Sequence, residues 1–301
     1  MNTMEYASVF MTELDNQLVE KSTTGWMEGN AGQVQYNGGA EVKIPKMQMS
    51  GLGDYDRDGG FAKGAVTVTY ETRTLTQDRG RTFQLDAMDV DETNFAATAG
   101  NVMREFQSTK VIPEIDAYRY SKIYELADVA GKTNTYKAEA ETVFETLMND
   151  ITAVRDVAGE CTEIVIAMSA KVAGMLDLAK GGTNVLQSGF FEQGKAEIKV
   201  KEIDGCPIIR VPSARFKTKY TFMDGVENVE GGFAAAEDAK GINWMILVKN
   251  APVAVSKTDV TRIFDPMTNQ NANVWKIDYR KYHDLWIMDN GMDGVLVSVG
   301  E

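Results

Sequence analysis

Hydrophobic positions change period several times along the chain, and each change marks a different kind of element. Tyr6, Phe10, Leu14 and Leu18 recur every fourth residue, which predicts a short helix with one apolar stripe. A glycine-rich stretch follows at residues 22–33, in which Trp26 reads as exposed. An apolar arm leading into a flexible stretch is poorly placed to join its own core, so it is expected to pack on a neighbouring subunit. Residues 34–88 alternate by two. Strands are predicted near 41–49 and 65–77. After a turn signal at Asp78-Arg79-Gly80, Phe83, Leu85 and Ala87 alternate with Thr82, Gln84 and Asp86. The outer half of this segment has few bulky residues, which predicts an extended arm and not a closed barrel.

Helical period returns at Asp91, a candidate cap for a helix whose face is Phe95, Ala99, Val102, Met103 and Phe106. Pro113 either kinks that helix or starts a second one through Ala130, with Ile115, Tyr118, Ile123 and Leu126 on one side. The two together predict one long, bent helix. From about residue 133 the pattern is α/β. Val143, Leu147, Ile151, Val154 and Ala158 line an amphipathic helix, and residues 163–168 form a buried strand. Ser169 caps a helix through Leu178, which Gly181-Gly182 ends. Ala196, Ile198 and Val200 alternate, Asp204-Gly205 turns the chain into residues 208–211, residues 242–248 make another buried strand, and residues 274–299 are β-rich and aromatic.

Three stretches invite a chemical reading. Asp54, Asp56 and Asp58 ahead of Gly59 open like an EF-hand loop, but the twelfth position is Ala65 where a bidentate Glu is required, and both flanks have strand period. Residues 189–196 nearly spell a phosphate loop, but Ala196 lacks the magnesium-binding hydroxyl and Lys195 begins a strand pattern. His283 is the sole histidine, which excludes multi-histidine metal sites; its place in a strand, with Asp284 on the opposite face, argues against a Ser-His-Asp triad. Acidic residues are spread along the whole chain. No catalytic residue, metal ligand or cofactor is predicted.

Composition narrows the classes further. The 301 residues carry 44 acidic and 31 basic side chains, a net charge of −13, with the basic ones scattered. A protein that grips phosphates gathers them into a patch, so nucleic-acid binding through this chain's own charge is not expected. No run of about 18 apolar residues is available to span a membrane. Cys161 and Cys206 have no partner motif and fit a reducing cytoplasm as small buried hydrophobes.

The order of parts resembles the major capsid proteins of tailed bacteriophages, the Hong Kong 97-like fold. Tyr55-Asp-Arg-Asp-Gly-Gly-Phe61 is similar to the tip of that family's extended loop. Asp78-Arg-Gly-Arg-Thr-Phe83-Gln-Leu-Asp86 and Asp89-Val-Asp-Glu-Thr93 resemble its run into the spine, and Val111-Ile-Pro-Glu-Ile-Asp-Ala-Tyr118 its spine proline. Ile203-Asp-Gly-Cys-Pro-Ile-Ile-Arg-Val-Pro212 resembles its axial hairpin; Arg262-Ile-Phe-Asp-Pro266 and Tyr279-Arg-Lys-Tyr-His-Asp284 resemble its closing segments. The resemblance implies an α+β fold divided into an N-terminal arm (1–33), an extended β loop (34–88), a peripheral domain with the spine helix (89–132 and 256–301) and an α/β axial domain (133–255). It implies pentamers and hexamers closing into an icosahedral shell around phage double-stranded DNA, in a virion assembled in the bacterial host cytoplasm. Its implied partners are further copies of the chain, a separate scaffold protein (favoured by the initial Met) and a portal. Phe10, Leu14, Trp26, Tyr55, Arg57, Phe61, Arg79 and Arg81 are the candidate intersubunit contacts, and no lysine–asparagine cross-link is expected at Lys63. An encapsulin-like compartment and a soluble α/β enzyme are the alternatives.

Overall fold

The computed structural model describes residues 22–33, 35–36, 41–55, 57, 59–86, 102–160, 162–179, 186–193, 196–227, 230–269 and 273–301. A 3-10 helix, Gly25–Gln33, leads into β1 (Gln35–Tyr36), β2 (Glu41–Met49) and β3 (Val66–Thr74), which form a three-stranded sheet. β2 and β3 are the two strands that alternation predicts, and they pair antiparallel from Glu41↔Thr74 to Met49↔Val66. β4 (Gln77–Asp86) leaves that sheet and pairs antiparallel with β14 (Val274–Ile287).

Gly80 makes no turn. β4 runs straight through it, because a Cβ there would meet the Tyr279 carbonyl oxygen of β14 at 2.8 Å, and only glycine allows that approach. Where a turn is expected at Asp78-Arg79-Gly80, the structure has a close approach between two paired antiparallel strands.

The Asp91 cap lies outside the described residues, but residues 102–129 are helical throughout. Pro113 neither breaks nor ends the helix. It has no N–H for the Thr109 carbonyl and its ring crowds that group, and a π turn at Gln107–Val111 widens the helix at this point. The Ile112 N–H reaches back to the Gln107 carbonyl, and regular α1 (Ile112–Val129) follows with proline in its first turn.

The α/β part follows the predicted pattern closely. After β5 (Thr133–Thr135) come α2 (Val143–Ala158), β6 (Ile164–Ser169) and α3 (Ala170–Leu178), whose cap Ser169 accepts the Val172 N–H at 3.3 Å. Gly181-Gly182 lies outside the described residues. β7 (Gln187–Gln193), β8 (Ala196–Ile203) and β9 (Cys206–Val211) form a meander; Asp204 (φ 52°) and Gly205 (φ 72°) give the β8–β9 hairpin its tight turn. β10 (Tyr220–Phe222) and β11 (Phe233–Ala235) pair with each other. β12 (Ile242–Val248), β13 (Pro252–Phe264), β14 (Val274–Ile287) and β15 (Val295–Val299) complete the chain.

Two layers of helix cover one seven-stranded sheet, ordered β5-β15-β12-β6-β9-β8-β7. Its period-two alternation sends Val165, Ala167, Met245, Leu247, Val295 and Val297 to one face, against Tyr120, Ile123 and Ala127 of α1. Ile164, Ile166, Met168, Trp244 and Ile246 go to the other, against Leu147 and Ile151 of α2 and Val172 and Leu176 of α3. The first half of α1 packs elsewhere. Ile112 and Ile115 meet Ile277 and Tyr279 of the sheet β13-β14-β4. β15, which the sequence division places with the peripheral part, is a strand of the seven-stranded sheet.

Substituting Gly80 by alanine is expected to destabilise the chain by about 1–3 kcal/mol through steric strain against β14. Denaturant unfolding measures it; an unchanged midpoint would show that the close approach tolerates a methyl group.

Candidate assembly surfaces

Among the described residues, which leave out Asp56, Asp58, Gly194 and Lys195, none of the three chemical stretches gathers a catalytic or metal-binding arrangement. Gly189 lies within strand β7, with no helix following to face a phosphate. At the EF-like tip, Ala65 stands where the bidentate acid belongs, and its amide donates to Ser50 Oγ at 2.9 Å. His283 is buried on β14, its ring edge-on to Tyr118 with centroids 5.5 Å apart, and its Nδ1 makes no hydrogen bond among the described residues. Burial, and then the charges of Arg119 and Lys281, hold its pKa well below the ordinary 6.5. Cys206 is buried and its thiol is pushed up by that burial; Cys161 lies outside the described residues. Among the described residues no three His, Cys, Asp or Glu side chains gather as metal ligands.

The large exposed feature is the ribbon of β2 and β3. Cross-strand partners share a face, so the register Met47↔Val68 and Met49↔Val66, with Tyr70 next along, puts five apolar side chains on one side. All five are exposed, as are Leu52, Tyr55 and Phe61 at the tip, Phe61 to 88%. Lys46, Gln48, Thr67 and Thr69 occupy the other side. The outer ribbon therefore has one apolar and one polar face; among the described residues nothing covers the apolar one, and on the polar one Lys46 pairs with Asp289. At the root the polar side gives way to Val42 and Ile44, buried against Val253, Val255 and Trp286.

A buried carboxylate fixes that root. Asp284 accepts the Thr76 N–H at 2.8 Å, the Thr76 hydroxyl at 2.9 Å and the Tyr118 hydroxyl at 2.6 Å. Burial first, and then the Asp284 charge, raise the Tyr118 pKa. The strand pattern around His283 gives no sign of this role, because Thr76 and Tyr118 lie far away in sequence.

Of the candidate contact residues, Tyr55 and Phe61 sit together at the tip, ring centroids 4.9 Å apart, and Arg57 is exposed beside them. Arg79 is turned inward: it donates to Glu114 at 2.7 Å and to the carbonyls of Met223 and Gly232 at 2.7 and 3.1 Å. The Arg81 guanidinium lies by Gly225 and Gly231 of the same loop. Phe10 and Leu14 lie outside the described residues.

Trp26 is not exposed. It is buried in the chain's own core, edge-on to Phe191, and the stretch read as flexible is packed. Its run of hydroxyls is the signal the glycines obscured. Ser22, Thr23 and Thr24 surround the fully buried Asp116 of α1: three hydroxyls (2.8, 3.0 and 2.7 Å) and two backbone N–H groups (3.1 and 3.2 Å) donate to it, with Arg215 at 3.2 Å. Arg119 then donates to the Thr24 carbonyl at 3.2 Å and to Glu28, which Lys281 also approaches at 3.7 Å. Burial alone would raise the Glu28 pKa, but Arg119 and Lys281 outweigh it and hold the group at about 2.

No protein-family model and no curated protein sequence matches the chain. Solved structures do. The asymmetric unit of the bacteriophage PhiM1 mature capsid superposes with a TM-score of 0.57 at 15% identity, covering 88% of this chain and 83% of that one. A structure from Gordonia phage Cozz gives 0.55 at 13% identity, with 86% and 81% covered. The capsid structure of the cyanophage P-SCSP1u gives 0.54 at 9% identity, with 89% and 85% covered. The chain shares the fold of these structures.

Two outcomes are expected. Asp284→Ala leaves the buried Thr76 amide without its acceptor and the Tyr118 hydroxyl with Thr76 alone, and costs about 2–3 kcal/mol, read by denaturant unfolding; a loss below about 1 kcal/mol would show that the root is held otherwise. Glu28, with its folded pKa below the unfolded 4.5, adds stability that is complete above 4.5 and lost as pH falls towards about 2. Glu28→Gln therefore flattens the stability-against-pH curve across that window, and an unaltered slope would refute the assignment.

Proposed function

We propose that this chain is the major capsid protein of a tailed bacteriophage, a structural subunit that assembles with copies of itself into pentamers and hexamers and so into an icosahedral shell around phage DNA. The observation that carries the reading is the one-sided apolar ribbon, on a fold shared with phage capsid structures. A two-stranded ribbon is marginal in water by itself, and each large apolar side chain left exposed forgoes roughly 1.5–3 kcal/mol of burial. A neighbouring copy that covers Met47, Met49, Val66, Val68 and Tyr70 supplies what the chain lacks. Repetition of that modest contact around a closed shell gives avidity without a tight single interface.

In this reading residues 1–33 are the arm, 34–88 the extended loop, 89–132 with 256–301 the peripheral part, and 133–255 the axial part. The pairing of β15 supports moving its five residues to the axial part, and the pairing of β4 with β14 ties the end of the loop to the peripheral part. Tyr55, Arg57 and Phe61 are the tip contacts. The assembly is a virion component built in the host cytoplasm with a separate scaffold protein and a portal. Its net charge of −13 suits a wall along which DNA slides without being gripped. The phage identity of the structures it superposes on favours a virus shell over an enzyme-enclosing compartment, and no cluster of catalytic groups among the described residues supports an enzyme.

Electron microscopy and sedimentation of the purified chain test the reading. Met47→Asp and Val68→Asp, on the apolar face, are expected to abolish particles while the chain stays folded by circular dichroism; Thr67→Asp, on the polar face, leaves particles intact. Equal effects on both faces would remove the argument.

A further inference from the structure

We infer that the outer edge of β3 is a strand-addition site whose partner is the same edge of a second copy, the two ribbons pairing antiparallel about a two-fold axis at Val68. The argument starts from the ladder. Just past the ends of β2 and β3 the Ser50 N–H donates to the Ala65 carbonyl at 3.0 Å, and Ser50↔Ala65 continues the register that ends at Met49↔Val66. Hydrogen-bonded and non-hydrogen-bonded pairs alternate along an antiparallel ladder. Thr67, Thr69, Glu71 and Arg73 therefore direct their backbone N–H and C=O groups to β2, whereas Val66, Val68, Tyr70, Thr72 and Thr74 turn theirs outward. β3 is the last strand of the sheet β1-β2-β3, and among the described residues no strand pairs with that outer side.

This edge lacks the usual protection. Proteins blunt exposed edge strands with charge, proline, bulges or a covering loop. Residues 66–70 are exposed throughout and include no charged residue, proline, glycine or bulge. The other edge strands of comparable length, β4, β7 and β13, all carry charged side chains. In β3 charge appears only towards the root, where Glu71 and Arg73 pair with each other.

The edge also fits itself. Antiparallel pairing of the outward groups joins even-numbered residues to even-numbered residues, so both apolar faces fall on one side and form a continuous surface. An axis at Val68 sets the whole uncharged run against its copy: Val68 opposite Val68, Val66 opposite Tyr70, and Thr67 opposite Thr69. Aromatic–β-branched and threonine–threonine pairs of this kind stabilise antiparallel sheets, and within the run no charges meet. Five residues a side fall well short of the roughly 20–30 a side of a stable interface. The contact therefore acts as one repeated link in a larger assembly. It rests on the reading that copies of this chain associate, and it adds to the face-to-face contact an isologous one that joins copies in pairs, which a head-to-tail ring contact does not do.

Disulfide cross-linking of the full-length protein tests the pairing, with sedimentation of the same material to report association. The two Val68 Cα atoms would lie about 5.5 Å apart, within disulfide range, so Val68→Cys is expected to link copies in pairs under mild oxidation. Thr72→Cys, whose thiols the same pairing holds roughly 27 Å apart, is expected to link at least about tenfold less. Mass spectrometry of the joined peptides separates this link from any made by Cys161 or Cys206. Adding Val66→Pro to Val68→Cys removes an outward N–H and spares the β2–β3 ladder, and is expected to cut the linkage at least about fivefold. Equal linkage of the two cysteine variants, linkage undiminished by the proline, or no Val68 linkage in material that sediments as oligomers or particles overturns this pairing and leaves the proposed function standing. Material that stays monomeric and unlinked at every concentration overturns both.

Discussion

The constraint on which this architecture rests is the burial of a single helix against two different sheets. α1 has 18 residues, and its first half is packed on β4 and β14 while its second half crosses the seven-stranded sheet. Each half contributes apolar surface to a separate core, so neither sheet can shift without uncovering part of the helix. Close-packed interiors resist such shifts because small gaps already forfeit dispersion contacts. The buried Asp116 and Arg119 sit near the middle of α1, and they fix the segment before the ribbon to the same frame. The limb made of β13, β14 and β4 thus takes its orientation from the α/β body through this helix.

Against that rigid frame, the outer ribbon is the part that the described residues leave uncovered. Its root is determined by Val42, Ile44 and the Asp284 hydrogen bonds, and its outer half carries apolar side chains on one face alone. One-sidedness matters for specificity. Strand register fixes which side chains face which way, so a slip of one residue would turn the apolar set to the opposite side. A partner surface that accepts the ribbon can accept it only one way up, which distinguishes an ordered contact from indiscriminate edge-to-edge pairing.

Much of this was legible in the sequence, and the failures have physical reasons. Period-two alternation located β2, β3 and β8, the Asp204-Gly205 turn located β9, a continuous apolar run located β12, and the four-residue spacing of Val143, Leu147, Ile151 and Val154 located α2, because burial leaves a direct trace in the order of residues. Gly80 is easily misread because a glycine that permits a close approach of a paired strand is spelled like one that permits a turn. Trp26 was misread because its neighbours are glycines, and the groups that hold it in place, Asp116 and Phe191, are distant in sequence. β13 went unnoticed because its inner residues form a buried apolar run while its outer ones alternate with Thr and Arg, so no one period describes it. The Asp284 anchor was invisible for the same reason as the Asp116 cradle: one acidic residue gives no indication of the donors that folding brings to it.

The sheet β13-β14-β4 has a mechanical consequence. Its longer strands run for 13 and 14 residues, and their inner ends at residues 252–255 and 285–287 lie inside the body while the outer ends reach the limb's far edge. Antiparallel ladder bonds stand perpendicular to the strands. Tension applied along the limb therefore loads the whole ladder in shear, with every rung sharing the force, whereas a peeling load would break the rungs one after another. The limb behaves as a tie-rod, stiffest along its own strands.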